Sequence, residues 1–297
     1  MAIDFPSSPA VNQQYIYGGV TYTFTSQGVW VGGITAATQP AINCGRLDFV
    51  SATQLSFKPY NGDRIKINGT LYQIPSAGIA GLGNTGVYVN GVAGQNLAAW
   101  TVYRVYAFNN GGTITADFST AVHATSATAG NIGTEIKSSD DTRTLIGMVW
   151  TDGTGNFLNS QNNRGTISWF NRRNLSCLGN VTSVSTTSTT SIELNSAASR
   201  MAFLVWADEH VFVSLSGLIN GTTQNAAANG DIGLDGVIGS MPQNPYVQIP
   251  TASIWCAYAG YSMAYQLSEG MHFVSPFGCT SSGTIQFNLY CSGVIRG

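Results

Sequence analysis

Charged side chains are what this 297-residue chain has least of. Asp, Glu, Lys and Arg make up 9% of it, against roughly 25% in an average soluble protein. With 12 Lys and Arg against 14 Asp and Glu, the formal net charge is −2. No broad basic surface can be spread from so few cations, so nucleic acid is not expected as a partner. Charge-driven disorder is excluded too, because apolar residues reach 43%. Long apolar runs are missing: the longest candidate, Met201 to Ala207, falls far short of the roughly 18 residues that span a bilayer. Membrane insertion is therefore not expected. The opening Met1-Ala-Ile-Asp-Phe-Pro-Ser-Ser-Pro9 has no basic n-region and no apolar h-region, so it does not read as a secretory signal. The five cysteines, Cys44, Cys177, Cys256, Cys279 and Cys291, are an odd number with no C-x-x-C pair. That pattern speaks against a zinc site or a disulfide framework and for buried free thiols in a chain made in a reducing cytosol. No metal and no cofactor is implied. What fills the surface is neutral: Ser, Thr, Asn and Gln, with 35 glycines between them.

Helical periodicity is almost absent as well, and period-two alternation replaces it. In Thr284 to Ile295, the residues Ile285, Phe287, Leu289, Cys291 and Ile295 fall on one face of a strand, with Gln286, Asn288 and Ser292 on the other. Met201 to Trp206 reads as a strand buried on both faces and Val211 to Val213 as another, joined as a hairpin by Ala207 to His210. Asn61-Gly62, Asn68-Gly69, Asn90-Gly91, Asp152-Gly153 and Asn220-Gly221 supply the positive φ angles of tight turns. The chain is all-β: a small N-terminal β-meander followed by two β-sandwich-like domains, with a jelly roll one option for the last. Residues 1–33 form the meander, an anchoring module too short to bury a core alone. Ile34 to Pro40 reads as a linker, residues 34–173 as the middle domain, and residues 174–297 as the C-terminal domain. The Ser/Thr-rich run Val181 to Ser191 is read as a polar strand.

Gly81-Leu-Gly83-Asn-Thr-Gly86 fits G-x-G-x-x-G, but Val87-Tyr-Val89 and a turn follow it where a dinucleotide site needs a helix. It reads as a glycine-rich β-loop. The only histidines are His123, His210 and His272, and no G-x-S-x-G elbow is present, so a catalytic triad is not legible. Asp208-Glu209-His210 reads as a solvated turn. Asp63, Asp152, Asp231 and Asp235 sit beside glycine or in turns, and Asp140-Asp141 reads as a strand entry able to bind Arg143 or an ion. The aromatics say more. Trp255, Tyr258, Tyr261 and Tyr265 crowd one stretch. Read as a single strand, it places Trp255, Tyr261, Met263 and Tyr265 on one face and Tyr258 on the other. Aromatic platforms beside neutral amides and hydroxyls hold sugars, and β-sheet cores use the same rings. These four are the candidate glycan or receptor contacts.

Several pieces are similar to tail-fibre-like structural proteins of tailed bacteriophages. The opening Phe5-Pro-Ser-Ser-Pro9, Tyr15, Thr21-Tyr-Thr-Phe24 and Val29-Trp-Val31 resembles a short module of phage appendages. Leu55 to Gly62 with Ile65 to Gly69 resembles their β-rich segments. So do Gly133 to Asp140, Arg143 to Val149 and Ser168-Trp-Phe-Asn-Arg172. The resemblance implies a virion protein without defined catalytic residues. It further implies self-association, commonly as a homotrimer, and attachment to other virion proteins through the N-terminal module. Synthesis in the host cytoplasm follows from it too. No coiled-coil heptad or β-helix period is present, so a compact tail fibre or spike that binds a host cell-surface polysaccharide is expected rather than a long fibre. A capsid head-fibre or decoration protein is the second reading, and a glycan depolymerase the third.

Overall fold

The computed structural model describes residues 3–18, 20–33, 42–194, 196–238, 246–258, 260 and 262–297. The expected linker Ile34 to Pro40 lies outside them. Apart from one short helix, Ser196–Ser199, the regular structure among the described residues is β. No helix among the described residues is long and apolar enough to cross a membrane. The chain packs as two compact units, 1–41 and 42–297.

The first unit is the expected meander: Gln14–Tyr17, Val20–Phe24 and Trp30–Gly33, antiparallel in that order. Aromatic rings hold it. Phe5 stacks on Trp30 at 5.0 Å and meets Tyr15 and Tyr22 edge-on at 5.6 and 5.0 Å. Phe24 lies 5.3 Å from Trp30. No described residue of this unit is fully buried, so the rings form a clasp rather than a closed core. Ile16 and Val31 stand exposed on its other face.

In the second unit, Val102–Asn110 and Asp140–Trp150 are the middle of an eight-stranded sheet. A five-stranded sheet is built on Asn174–Thr186, Ile285–Arg296 and His210–Gly221, and a seven-stranded sheet on Met201–Val205, Gly270–Thr280 and Ala227–Leu234. Two hairpins, Arg46–Ser51 with Gln54–Lys58 and Arg64–Ile67 with Thr70–Gln73, complete the unit. The seven- and five-stranded sheets share one core: Ile285, Phe287, Leu289 and Cys291 from one, Phe203, Ile232 and Val274 from the other. Alternation along Ile285–Arg296 is as read from the sequence, and Met201–Val205 is buried throughout.

The eight-stranded sheet serves two cores. Tyr103, Val105, Ile146 and Val149 pack with Leu47, Leu55, Phe57 and Ile65 of the hairpins. Tyr106, Leu145, Met148 and Trp150 pack into the core of the C-terminal sheets. A bulge opposite Val105 and Tyr106 resets the alternation, putting Leu145 on the side of Met148 and Trp150. At Gly147 a Cβ would stand 2.6 Å from the Ile167 carbonyl oxygen and closer still to Leu47. Gly147→Ala is therefore expected to destabilise by about 1–3 kcal/mol through overpacking, read as a lower denaturant midpoint at unchanged m-value.

Several local expectations change. Met201–Val205 and His210–Gly221 are not a hairpin; they belong to different sheets, because each pairs with a more distant strand. Asn68-Gly69 and Asn90-Gly91 are left-handed turns joining paired strands. Asn220-Gly221, by contrast, is extended inside His210–Gly221, and Asp152 and Gly153 have no positive φ. Asp231 is a fully buried strand residue, not a turn residue. Cys44, Cys177 and Cys291 are buried thiols, and Cys256 and Cys279 are half-buried. Burial pushes the Cys177 thiol up to about 11 and that of Cys291 up to about 12.

Candidate functional site

After the strand Thr166–Ser168 the chain turns sharply through Trp169 to Arg173. Asn171 takes a left-handed φ of 53° there, a conformation asparagine tolerates better than most residues. The turn is tied down on both sides. The Asn171 amide donates to the Gly45 carbonyl oxygen at 2.8 Å, and Asn61 donates its amide to Asn171 Oδ1 at 2.6 Å. Ser168 Oγ donates to the Phe170 carbonyl oxygen at 2.6 Å and accepts from the Leu47 amide at 3.0 Å. Held this way, Trp169, Arg172 and Arg173 open onto a cavity of about 570 Å³, with Arg46, Tyr60, Asp208, Glu209 and Arg296 on its other walls.

Two arginines are fixed by rings and carboxylates together. Arg172 lies 4.3 Å above the Trp169 ring, and its Nη1 donates to Asp208 at 2.9 Å and to Glu209 at 2.6 Å. Arg46 lies 4.3 Å above Tyr60, and its Nε donates to both oxygens of Asp48 at 3.0 and 3.1 Å. Arg173 and Arg296 are freer, at 50% and 58% side-chain exposure. Strand pairing sets their backbones at adjacent positions, with Asn174 opposite Arg296 and the Arg173 amide donating to the Gly297 carbonyl oxygen at 2.7 Å, and both side chains line the cavity. Asp208-Glu209-His210, expected as a solvated turn, does begin in a turn with Asp208 and His210 exposed, and Asp208 and Glu209 also form a wall of this cavity. The Arg172-Arg173 pair beside Trp169, in a chain so poor in cations, is the signal by which the sequence could have revealed it.

A second cavity of about 340 Å³ shares Trp169 and Asp208 with the first. At its edge His123 is clamped between two carboxylates, Nδ1 to Glu135 Oε2 at 2.6 Å and Nε2 to Glu269 Oε2 at 2.7 Å. Arg104 Nη2 holds the other Glu269 oxygen at 2.6 Å. The Glu269 bond raises the His123 pKa most, and Glu135 adds to it against burial. Burial pushes Glu269 upward, but the bond and charge of His123, with Arg104, outweigh it and leave its pKa below the ordinary value.

The expected aromatic stretch divides into two strands, Trp255–Tyr258 and Ser262–Gln266, both on His210–Gly221. Trp255 is 41% exposed. Tyr258 is 2% exposed and donates its hydroxyl to the Gly230 carbonyl oxygen at 2.7 Å; it is a core residue, so the expectation of an external contact does not hold for it. Tyr261 lies outside the described residues, as does the side chain of Tyr265, whose backbone lies opposite Val211. Trp255 lies at one end of the outer face of the five-stranded sheet, opposite Asn220, and along that face Leu218, Tyr290, Leu178, Phe212 and Val294 are exposed.

Other sequence candidates resolve structurally. Asp140 pairs with Arg143 at 3.3 Å. Asp141 accepts hydrogen bonds from Ser126, Asn131 and Thr128, which hold its carboxyl below the usual range and pin that loop. Val87–Val89 does follow Gly86 as a strand. His272 Nδ1 meets Asp235 Oδ2 at 2.7 Å with Ser268 Oγ 3.4 Å from Nε2, which looks like a triad. Nε2 is closer, at 2.9 Å, to the Ser268 carbonyl oxygen. That oxygen only accepts, so the nitrogen donates to it and is not free to take the hydroxyl proton. No group of three His, Cys, Asp or Glu side chains among the described residues forms a metal site.

No protein-family model and no curated protein matches the chain. Among solved structures it is similar to the T13 infectious bursal disease virus particle, at 10% identity and a TM-score of 0.33 over 94% of this chain and 62% of that one. The VP2 subviral particle of the same virus matches at 10% identity and 0.31, over 94% and 64%. The insecticidal delta-endotoxin Cry8Ea1 of Bacillus thuringiensis matches at 7% identity and 0.27, over 86% and 51%. The chain spans less than two thirds of the length of each of these. Likeness at these TM-scores does not amount to a shared fold.

Proposed function

We propose that this chain is a structural protein of a bacteriophage particle, a compact tail fibre or spike whose second unit binds a host cell-surface glycan. The observation that carries the glycan reading is the larger cavity. It is an open concavity in which aromatic rings, Tyr60 and Trp169, stand beside the amides of Asn61 and Asn171 and a set of arginines. Apolar ring faces beside fixed hydrogen-bonding groups suit a sugar, which has an apolar face and a polar rim. The sequence resemblance supplies the virion setting. The exposed Ile16 and Val31 of the meander suit a contact with other virion proteins. Self-association as a trimer would let weak sites add through multivalency. The role is binding, with no bond broken; an assay for reducing ends released from host polysaccharide is expected to stay at background.

The test is binding of the labelled full chain to host cells. Tyr60→Ala is expected to reduce it at least about tenfold while leaving the fold intact, the loss of one aromatic contact in a multivalent array. Trp255→Ala measures the sheet face in parallel. Unchanged binding in Tyr60→Ala with loss in Trp255→Ala would move the site to the sheet face. The second reading, a capsid head-fibre or decoration protein, draws on that same face. Its exposed Phe212, Val294 and Tyr290 are interleaved with Ser214, Ser216 and Ser292, a surface suited to contact with a shell or another subunit. Gold-labelled antibody on intact particles separates the two: label at the tail tip supports the first reading, and label spread over the head supports the second.

A further inference from the structure

We infer that the larger cavity takes a carboxylate-bearing saccharide, a uronic-acid-type residue of an acidic polysaccharide, its carboxylate held between Arg173 and Arg296 and its ring laid against Tyr60. The inference rests on the glycan-binding reading and adds the class of sugar.

Charge placement is the first ground. The chain has 12 Lys and Arg in all, and four arginines line this one cavity, against two lining carboxylates, Asp208 and Glu209. Even with Asp48 counted behind the wall, the arithmetic, four minus three, leaves the cavity positive in a chain whose net charge is −2. A local positive excess on an otherwise nearly uncharged surface draws anions with little competition. The second ground is the division of labour among the arginines. Arg46 and Arg172 are each stacked on a ring and bonded to carboxylates, so they act as rigid wall. Arg296 has its nearest carboxylate, Glu209, at 3.8 Å, beyond hydrogen-bond distance, and Arg173 shares Asp48 at 3.1 Å with Arg46. The Arg296 fork, and the N–H groups of Arg173 other than the Nη2 that meets Asp48, are the donors left for a ligand, and a planar fork matches the two oxygens of a carboxylate. Third, Tyr60 is an exposed ring already held under Arg46, and the Asn61 amide is fixed on Asn171. An apolar sugar face and its hydroxyls therefore meet preorganised groups. The cavity volume, about 570 Å³, lies within the range of small-ligand sites, roughly 300–1,000 Å³.

Affinity electrophoresis of the full chain in gels containing polygalacturonate, neutral dextran or dextran sulfate tests this, alongside the host-cell assay. Retardation is expected in polygalacturonate and not in dextran. Arg173→Ala and Arg296→Ala should each weaken it about tenfold or more, the scale of one charge-assisted bidentate contact. Arg200→Ala, whose partner is Glu193 outside the cavity, should be retarded like the parent when each variant is referred to its own mobility in a gel without polysaccharide. Arg296→Lys keeps the charge without the fork and should fall between. Retardation in dextran that neither alanine variant changes would overturn the acidic-sugar class and leave glycan binding standing. Equal retardation in dextran sulfate, retained by Arg296→Lys, would overturn the carboxylate in favour of any polyanion. No retardation in any gel with host-cell binding intact would overturn the sugar class alone; loss of both would overturn the glycan reading with it.

Discussion

Asp117→Asn is expected to destabilise the second unit by about 3–5 kcal/mol, the usual consequence of removing one partner from a buried ion pair. Asp117 lies within Thr113–Ser119, next to the middle strand of the eight-stranded sheet, and its side chain is 0% exposed. Its carboxylate accepts from Arg143 Nε at 2.8 Å, from Lys137 Nζ at 3.4 Å and from the Gly91 amide at 2.9 Å. Asparagine keeps the shape and one acceptor but removes the charge that compensates two largely buried cations. Arg143 retains Asp140 at 3.3 Å and the Phe108 ring at 4.6 Å, so the greater loss falls on Lys137. The Gly91 bond matters separately: it pins the left-handed Asn90-Gly91 turn onto the sheet. Against a total stability of about 5–15 kcal/mol for a typical domain, the loss is large enough to see as reduced soluble yield. Urea unfolding monitored by fluorescence measures it. Asp63→Asn, at an exposed pair with Arg64, is the control and should move stability by less than about 0.5 kcal/mol. A loss below about 1 kcal/mol at Asp117 would show that the carboxylate is not needed as a charge.

The second large effect is on pH dependence, through the His123 cluster. The folded-state pKa of His123 is raised above its ordinary 6.5, so its contribution is full below that value and lost as pH rises through the folded pKa. The folded-state pKa of Glu269 is lowered from 4.5, so its contribution is full above that value and lost as pH falls through the folded pKa. The cluster therefore contributes most between 4.5 and 6.5 and fades on both sides. Glu135, Glu269, Arg104 and, across the cavity, Asp208 with Arg172 are the charged groups around the imidazole. The Tyr106 hydroxyl nearby is pushed up by burial and stays neutral throughout this window. Glu269→Gln removes the carboxylate shared by Arg104 and His123. It should cost about 3 kcal/mol at pH 6, as for a half-broken buried pair, and flatten both limbs of the profile. Trp169 and Trp206, whose rings lie 5.3 and 6.1 Å from His123, provide the fluorescence readout. A variant with the same pH profile as the parent would remove the cluster from the explanation.

The β class, the buried Met201 stretch and the inward face of Ile285 to Ile295 were legible from residue order, because the period of two is a local consequence of extended backbone. The candidate site was not. Its walls come from Arg46 and Tyr60, from Trp169 to Arg173, from Asp208 and Glu209, and from Arg296, and only strand pairing brings such distant positions together. Residue order shows instead the local crowd of Trp255, Tyr258, Tyr261 and Tyr265. One of these, Tyr258, is turned into the core above Gly230, where a Cβ would come within 3.0 Å of its ring.

Composition and alternation by themselves determined that this chain folds into sheets with a nearly uncharged surface, since both depend only on what each residue and its neighbours prefer. Tertiary structure decided which strands pair. It thereby parted Met201–Val205 from His210–Gly221 and set Arg173 beside Arg296. It also decided which ring faces the core and where the few charges meet. These outcomes depend on contacts between residues far apart in the chain, and no short window of sequence contains the energies that choose among them.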